Sequence, residues 1–203
     1  MITTTVVDGR PIVATVGADR LLRRWDLRSR TPIGDPVALS ADGSMAGLAP
    51  VQVDGRHALQ VNVGGYVHVH DVQTGEHLAT SGSGNVITEV NGRAVVVARF
   101  GDNLRVTELH TGAEVRQIEA GTAHGAIVTT AVGDVPVVVS DGERNTIVIH
   151  DLTTGERLGA PLTGHEAAVT TLGVTHLRGT PILVSAARDN AIRVWDLAVR
   201  AAR

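Results

Sequence analysis

The chain of 203 residues is long enough for one good core, and its formal net charge of −3 gives no electrostatic reason to expect nucleic acid or an acidic membrane surface as a partner. Cysteine is absent, which excludes disulfides and thiolate metal sites. The opening MITTTVVDGRP has neither the basic start nor the long apolar run of a signal peptide, and no apolar run has the length of a membrane span. A soluble, cytoplasmic protein is the expectation.

Short runs rich in Val, Ile, Leu and Thr, separated by Gly, Asp, Asn and Pro, follow one another along the whole chain. Such runs read as strands joined by tight turns, and no helical period of apolar residues competes with them. The first unit predicts strands at 3–7, 12–16 and 21–27, with an outer strand at 33–39. The second predicts 45–53, 57–63, 66–72 and 77–81; the third, 85–90, 94–100, 103–109 and 114–119. The fourth predicts 126–132, 135–140, 146–152 and 157–163. The fifth predicts 168–175, 181–186 and 191–196 and lacks an outer strand. Asp-Gly-Arg at 8–10 and 54–56 and Asn-Gly-Arg at 91–93 recur between first and second strands, where Asp-Gly and Asn-Gly supply the positive φ of two-residue hairpins.

The third strands align at Trp25, His70, Thr107, His150 and Trp195, spaced by 45, 37, 43 and 45 residues. Similarity at that period, with four strands per unit, is the signature of propeller blades. The segments TPIGDPVAL (31–39) and ERLGAPLTG (156–164) repeat one outer-strand pattern, with Gly34 matching Gly159 and Pro36 matching Pro161. Proline fits an outer strand because one side of it needs no N–H partner. The expected fold is all-β: a single domain, a β-propeller of about five four-stranded blades, closed, partial or open, cut at 1–40, 41–82, 83–120, 121–163 and 164–203.

Trp25-Asp26, Trp195-Asp196, the Gly164-His165 pair and the period together resemble a WD-repeat β-propeller of the bacterial type. The similarity covers essentially the whole chain. Its middle is degenerate, with His70-Asp71, Thr107-Glu108 and His150-Asp151 where the family shows Trp-Asp. The resemblance implies a structural tetrad of His165, Ser185, Asp189 and Trp195, pinning three strands of one blade. Partial tetrads are expected from Thr15, Asp19 and Trp25 in the first unit, and from His124 and Ser140 in the fourth, where Arg144 and His150 replace the Asp and Trp. The second unit offers Gln60, Gly64 and His70, the third Val97, Gly101 and Thr107, so the middle blades are expected to be looser than the last.

His165, Ser185 and Asp189 are also the residue types of a hydrolase triad. Ser185, however, sits inside a strand run with no Gly-x-Ser-x-Gly elbow to expose its oxygen. His68 and His70 share one strand face, but two ligands do not close a zinc site. No metal and no cofactor are expected. Arg20, Arg23, Arg24, Arg28 and Arg30 form a basic cluster that could meet an acidic partner. SGSGN at 81–85 and Gly-Gly at 64–65 are weak as phosphate loops, since neither runs into a helix.

The resemblance implies a non-enzymatic scaffold for protein–protein interaction, a module of a larger regulatory or signalling assembly. The alternatives are a propeller hydrolase or lyase with an active site in the central mouth, and the remnant of a longer propeller. An unpaired edge on the last strand offers a route to self-association.

Overall fold

The structure is a computed structural model that describes residues 1–39, 43–82, 86–121 and 125–198. Among the described residues every regular element is a β-strand except one 3₁₀ turn at Glu143–Asn145, and no described helix is long and apolar enough to cross a membrane. The strands form five small antiparallel sheets, the blades of a five-bladed β-propeller.

Blade 1 holds β1 (Ile2–Val7), β2 (Arg10–Val16) and β3 (Leu21–Asp26), with β4 (Thr31–Pro32) and β5 (Val37–Ala38) both on β3. Blade 2 runs β6 (Met45–Val53), β7 (Arg56–Val63), β8 (Tyr66–Asp71), β9 (His77–Ser81). Blade 3 runs β10 (Val86–Val90), β11 (Arg93–Phe100), β12 (Asn103–Glu108), β13 (Glu114–Glu119). Blade 4 holds β14 (Ile127–Val132), β15 (Val135–Asp141) and β16 (Ile147–Asp151); blade 5 holds β17 (Val169–Leu177), β18 (Thr180–Ala187) and β19 (Ile192–Asp196).

The turns behave as the sequence requires. Asp8, Asp54 and Asn91 have φ of 50°, 52° and 52°, each followed by a glycine at 72–73°. Two successive positive φ values are the geometry of the type I′ hairpin, whose twist matches that of the flanking strands.

The outer strands depart from expectation in blades 1 and 4. Of the expected strand at 33–39 only Val37–Ala38 (β5) is strand, while β4 at Thr31–Pro32 lies before it, and 157–163 forms only the bridges Ile147↔Leu162 and His150↔Arg157. Both segments bond to the third strand at their two ends, through Ile33 N–H to Arg24 O and Leu39 N–H to Arg20 O, and through Leu158 N–H to Ile149 O and Leu162 N–H to Ile147 O. Between those ends they buckle. Gly34 and Gly159 adopt φ of 62° and 71° there, and the following Pro36 and Pro161 have no N–H to restore the ladder. In blade 5, β19 has no outward neighbour among the described residues.

The backbone contacts divide the chain into two compact units, Met1–Val96 with Glu108–Ala113, and Val97–Thr107 with Glu114–Arg203. In the first, Ile12, Ala14, Val16 and Leu22 of blade 1 pack against Leu59, Val61 and Val63 of blade 2. Ala58, Val67 and Val69 of blade 2 pack in turn against Ile87, Ala94 and Val96. In the second, Val137, Val139, Ile147 and Ile149 of blade 4 pack against Leu172, Val174, Leu183 and Trp195 of blade 5. A sheet covered on both faces needs apolar residues at successive positions, so β7, β11 and β15 carry near-continuous buried runs rather than alternation.

Burial between blades does not follow the tetrads. All five residues of β16 are buried, whereas β19 alternates between exposed and half-buried positions. Hydrogen bonding within a blade and burial between blades are separate terms, and the sequence repeat reported mainly the first.

Candidate functional site

The four residues of the expected tetrad meet in blade 5. Ser185 lies in the middle of β18 and Trp195 on neighbouring β19; His165 precedes β17 and Asp189 lies in the β18–β19 turn. Trp195 Nε1–H donates to Ser185 Oγ at 2.9 Å. Ser185 Oγ lies 2.8 Å from His165 Nε2, and His165 Nδ1 lies 2.9 Å from Asp189 Oδ2. The carboxylate only accepts, so the neutral ring carries its proton on Nδ1 and Ser185 O–H donates to Nε2. With the ring in that form the donors run from Trp195 to Ser185 to His165 to Asp189. Asp189 also accepts from Ala191 N–H and Glu166 N–H, both at 2.9 Å.

This connectivity is that of a Ser-His-Asp triad, but the access is not. Ser185 is 0% exposed, and the His165 side chain is 1% exposed. The serine oxygen is occupied by an indole donor and faces the interior, where a nucleophile would need an open approach to substrate. What the arrangement does is satisfy four polar side chains and tie the segment before β17, the strands β18 and β19, and the turn between them.

The backbone N–H groups of Ala191 and Glu166, followed by the His165 ring, hold the Asp189 carboxyl down at about 2. Its ordinary value is 3.8, so the unfolded chain takes up this proton first as pH falls. The stabilisation from Asp189 is complete above 3.8 and is lost as pH falls towards 2. Unfolding curves of wild type and Asp189→Asn are thus expected to differ at pH 6 and to converge as pH falls from 4 to 2.

The partial tetrads are not assembled in the same way. Thr15 and Trp25 occupy the register positions of Ser185 and Trp195, but Asp19 turns to Arg23 at 2.7 Å and to Leu21 N–H at 3.3 Å. Ser140 and His150 occupy the same two positions in blade 4. Among the described residues, Ser140 Oγ and His150 Nδ1 are buried without a hydrogen-bond partner; His124 lies outside the described residues. In blade 2 the register pairs His70 with Leu59 and His68 with Val61, so Val61, not Gln60, holds the Ser185 position. Gln60 faces the other way and accepts from Ile87 N–H at 3.0 Å, stitching blade 2 to the first strand of blade 3.

Burial pushes the His150 imidazole below its ordinary 6.5, assisted by Arg157. Burial does the same to His70 against the opposing bond to Gly75 O, and to His68 beside His77. A depressed histidine is neutral in the fold, while the unfolded chain protonates it below 6.5, so stability falls on acidification. His150→Phe is expected to weaken the pH dependence of the melting temperature between pH 7 and 5.

The five arginines do not form one surface. Arg24 is 2% exposed and donates to Gln73 O at 3.1 Å and Asp35 O at 3.2 Å, which places it inside the joint between blades 1 and 2. Arg23 pairs with Asp19, Arg20 is half-buried, and Arg28 and Arg30 are exposed on the turn after β3. For the histidines, the structure adds His77, whose ring centroid lies 6.2 Å from that of His68 and 5.2 Å from that of His70. His68 Nδ1 and His77 Nε2 both meet Thr80 Oγ1, at 3.1 and 2.8 Å. Among the described residues, no three histidine, aspartate or glutamate side chains are grouped to hold a metal ion.

Sequence reasoning missed the joints between blades. Arg116 donates to Thr153 O and Thr154 O, both at 2.7 Å, clasping the turn after β16. Arg99, 11% exposed at its side chain, reaches Gly121 O, Asp141 O and Asp141 Oδ1. The Asp or Glu after each Trp25-type position also has a role that the dipeptide pattern hides. Asp26, Asp71, Glu108 and Asp151 each accept two backbone N–H bonds from the residues two and three places on, and Asp196 accepts one from Ala198. The same acceptor at the same place in all five units was the available signal.

A cavity of about 460 Å³ opens beside blade 4, lined by Glu119, Glu143, Arg144, Thr146, His150 and Arg157 among others. Its two acids and two arginines balance in charge, and Thr146 Oγ1 donates to Glu143 O rather than meeting a base. No protein-family profile matches the chain, and no curated protein matches it.

Proposed function

We propose that the chain is a non-enzymatic repeat scaffold for protein–protein interaction, of the WD-repeat kind, acting in the cytoplasm as a module of a bacterial regulatory or signalling assembly. The observation that supports this most is the complete burial of Ser185. The arrangement closest to a catalytic constellation holds its would-be nucleophile where substrate has no approach. The turns after the third strands, held by their own carboxylates, are displayed on a rigid sheet framework, and such loops are where binding residues concentrate. Fold alone does not decide between platform and enzyme; the use to which the polar residues are put favours the platform.

Arg28 and Arg30 are the members of the basic cluster that a partner could reach, since both are exposed. Affinity capture with the intact chain, repeated with the Arg28→Glu/Arg30→Glu variant, tests the reading. A defined protein retained by the first and lost by the second, at unchanged melting temperature, supports it. Ester or amide hydrolysis that Ser185→Ala abolishes without a change in stability would overturn it.

A further inference from the structure

The cavity beside blade 4 lies wholly within the second compact unit. Its volume of about 460 Å³ falls in the range of about 300–1,000 Å³ that small-molecule sites occupy. Ala120, Val148 and His150, all buried, form its floor, and the exposed Glu119, Glu143, Arg144 and Arg157 form its rim. Among the described residues, none of these four charged side chains has an ion pair or a hydrogen bond. Neighbouring charges elsewhere in the same unit do pair, Arg105 with Glu114 at 3.2 Å and Arg99 with Asp141 at 3.0 Å. The cavity is thus lined by two acids and two arginines that do not neutralise one another.

The local backbone holds these groups in place. Glu143 lies across Gly121, where a Cβ would come within 3.0 Å of its Cγ. Arg144 and Asn145 take φ of 52° and 63°, two successive non-glycine residues in the left-handed region, a costly conformation that concentrates at binding sites. Arg157 is bridged to His150, so the two side chains leave the same face of the sheet. The His150 ring has no hydrogen-bond partner among the described residues, and Nδ1 is its enclosed nitrogen, which leaves Nε2 to the cavity. Burial keeps the ring neutral near pH 7, and in that form it offers one N–H. An N–H beside a guanidinium without a counter-ion is a seat for an oxyanion. The carboxylates of Glu119 and Glu143 are acceptors for an ammonium.

We propose that this cavity binds a small zwitterion, a free amino acid or a dipeptide, with its carboxylate on Arg157 and His150 and its ammonium on Glu119 and Glu143. A ligand carrying both charges satisfies acids and arginines together. A polyanion such as a nucleotide would meet two unpaired carboxylates, and a polyamine two unpaired guanidinium groups, each a repulsive contact. A neutral sugar would leave all four charges without a counter-ion. The site stands independently of what the exposed turns bind.

Isothermal titration of the intact chain with a panel of free L-amino acids and dipeptides at millimolar concentration is expected to find a ligand. The amine that lacks its carboxylate and the acid that lacks its amino group are each expected to bind about tenfold more weakly or worse, for loss of a charge-assisted contact. Arg157→Met and Glu143→Gln, both at exposed positions and with unchanged melts, are expected to cost a similar factor against the intact ligand. Arg188→Met, at an exposed arginine outside the cavity, is expected to leave the affinity unchanged. Failure of every amino acid and dipeptide to bind overturns the proposal. So does equally tight binding of either truncated analogue, which would mark a site for a simple cation or anion. An affinity that neither Arg157→Met nor Glu143→Gln lowers overturns it equally, since binding would then lie elsewhere on the chain.

Discussion

Replacing Ser185 with alanine is expected to destabilise the protein by roughly 2–4 kcal/mol. The substitution removes one hydroxyl and leaves the buried His165 Nε2 and the Nε1–H of the half-buried Trp195 without their partner. Each orphaned buried group costs about 1–3 kcal/mol, and the small volume change adds little. For a chain of this size about 1 kcal/mol moves the melting temperature by roughly 2–4 °C. Ser140→Ala is the control. It deletes an equally buried hydroxyl at the same place in blade 4, one without a partner among the described residues, and is expected to shift stability by less than about 1 kcal/mol. Thermal or urea unfolding of the two variants side by side checks the difference.

The second large effect is expected at Asp141. Its carboxylate is 2% exposed at the side chain, pairs with Arg99 at 3.0 Å and accepts from Gly125 N–H at 3.2 Å. Asp141→Ala leaves an arginine, itself nearly buried, without its counter-charge, and breaking one side of a buried pair costs about 3–5 kcal/mol. Removing both charges together is a smaller perturbation, since no ion is then left unpaired. The double variant Arg99→Met/Asp141→Leu is therefore expected to be more stable than Asp141→Ala, as measured by urea unfolding. A double variant as unstable as the single one would show that Arg99 acts through its carbonyl contacts at Gly121 and Asp141 instead.

These two sites differ in how far the sequence announces them. The Ser185 network lies within one repeat unit, and its members fall at fixed offsets from a strand end, so alignment of the units finds all four. Arg99 and Asp141 belong to different units, 42 residues apart. The arginine stands in ARFGDN, where nothing distinguishes it from a solvated strand end. Arg24 shows the same limit. Among four neighbouring arginines it reads as surface charge, yet alternation along β3 turns it into the joint with blade 2.

Strand positions were legible for a simple reason. Two-residue turns of Asp-Gly and Asn-Gly punctuate the chain, and the side-chain period of two fixes what lies between them. The outer segments were not, because Gly34 and Gly159 spoil a ladder that composition alone predicts as continuous. Gln60 was placed one residue out of register because β7 is buried on both faces, which erases the alternation that would have shown its direction.

A fluorophosphonate that labels activated serines, followed by mapping of the modified residue on the folded protein, tests most directly whether the Ser185–His165–Asp189 chain is a structural clasp. A clasp predicts no labelling of Ser185 under native conditions, because its oxygen is wholly buried and bonded to Trp195. Stoichiometric, rapid modification of Ser185 in the native protein would contradict it.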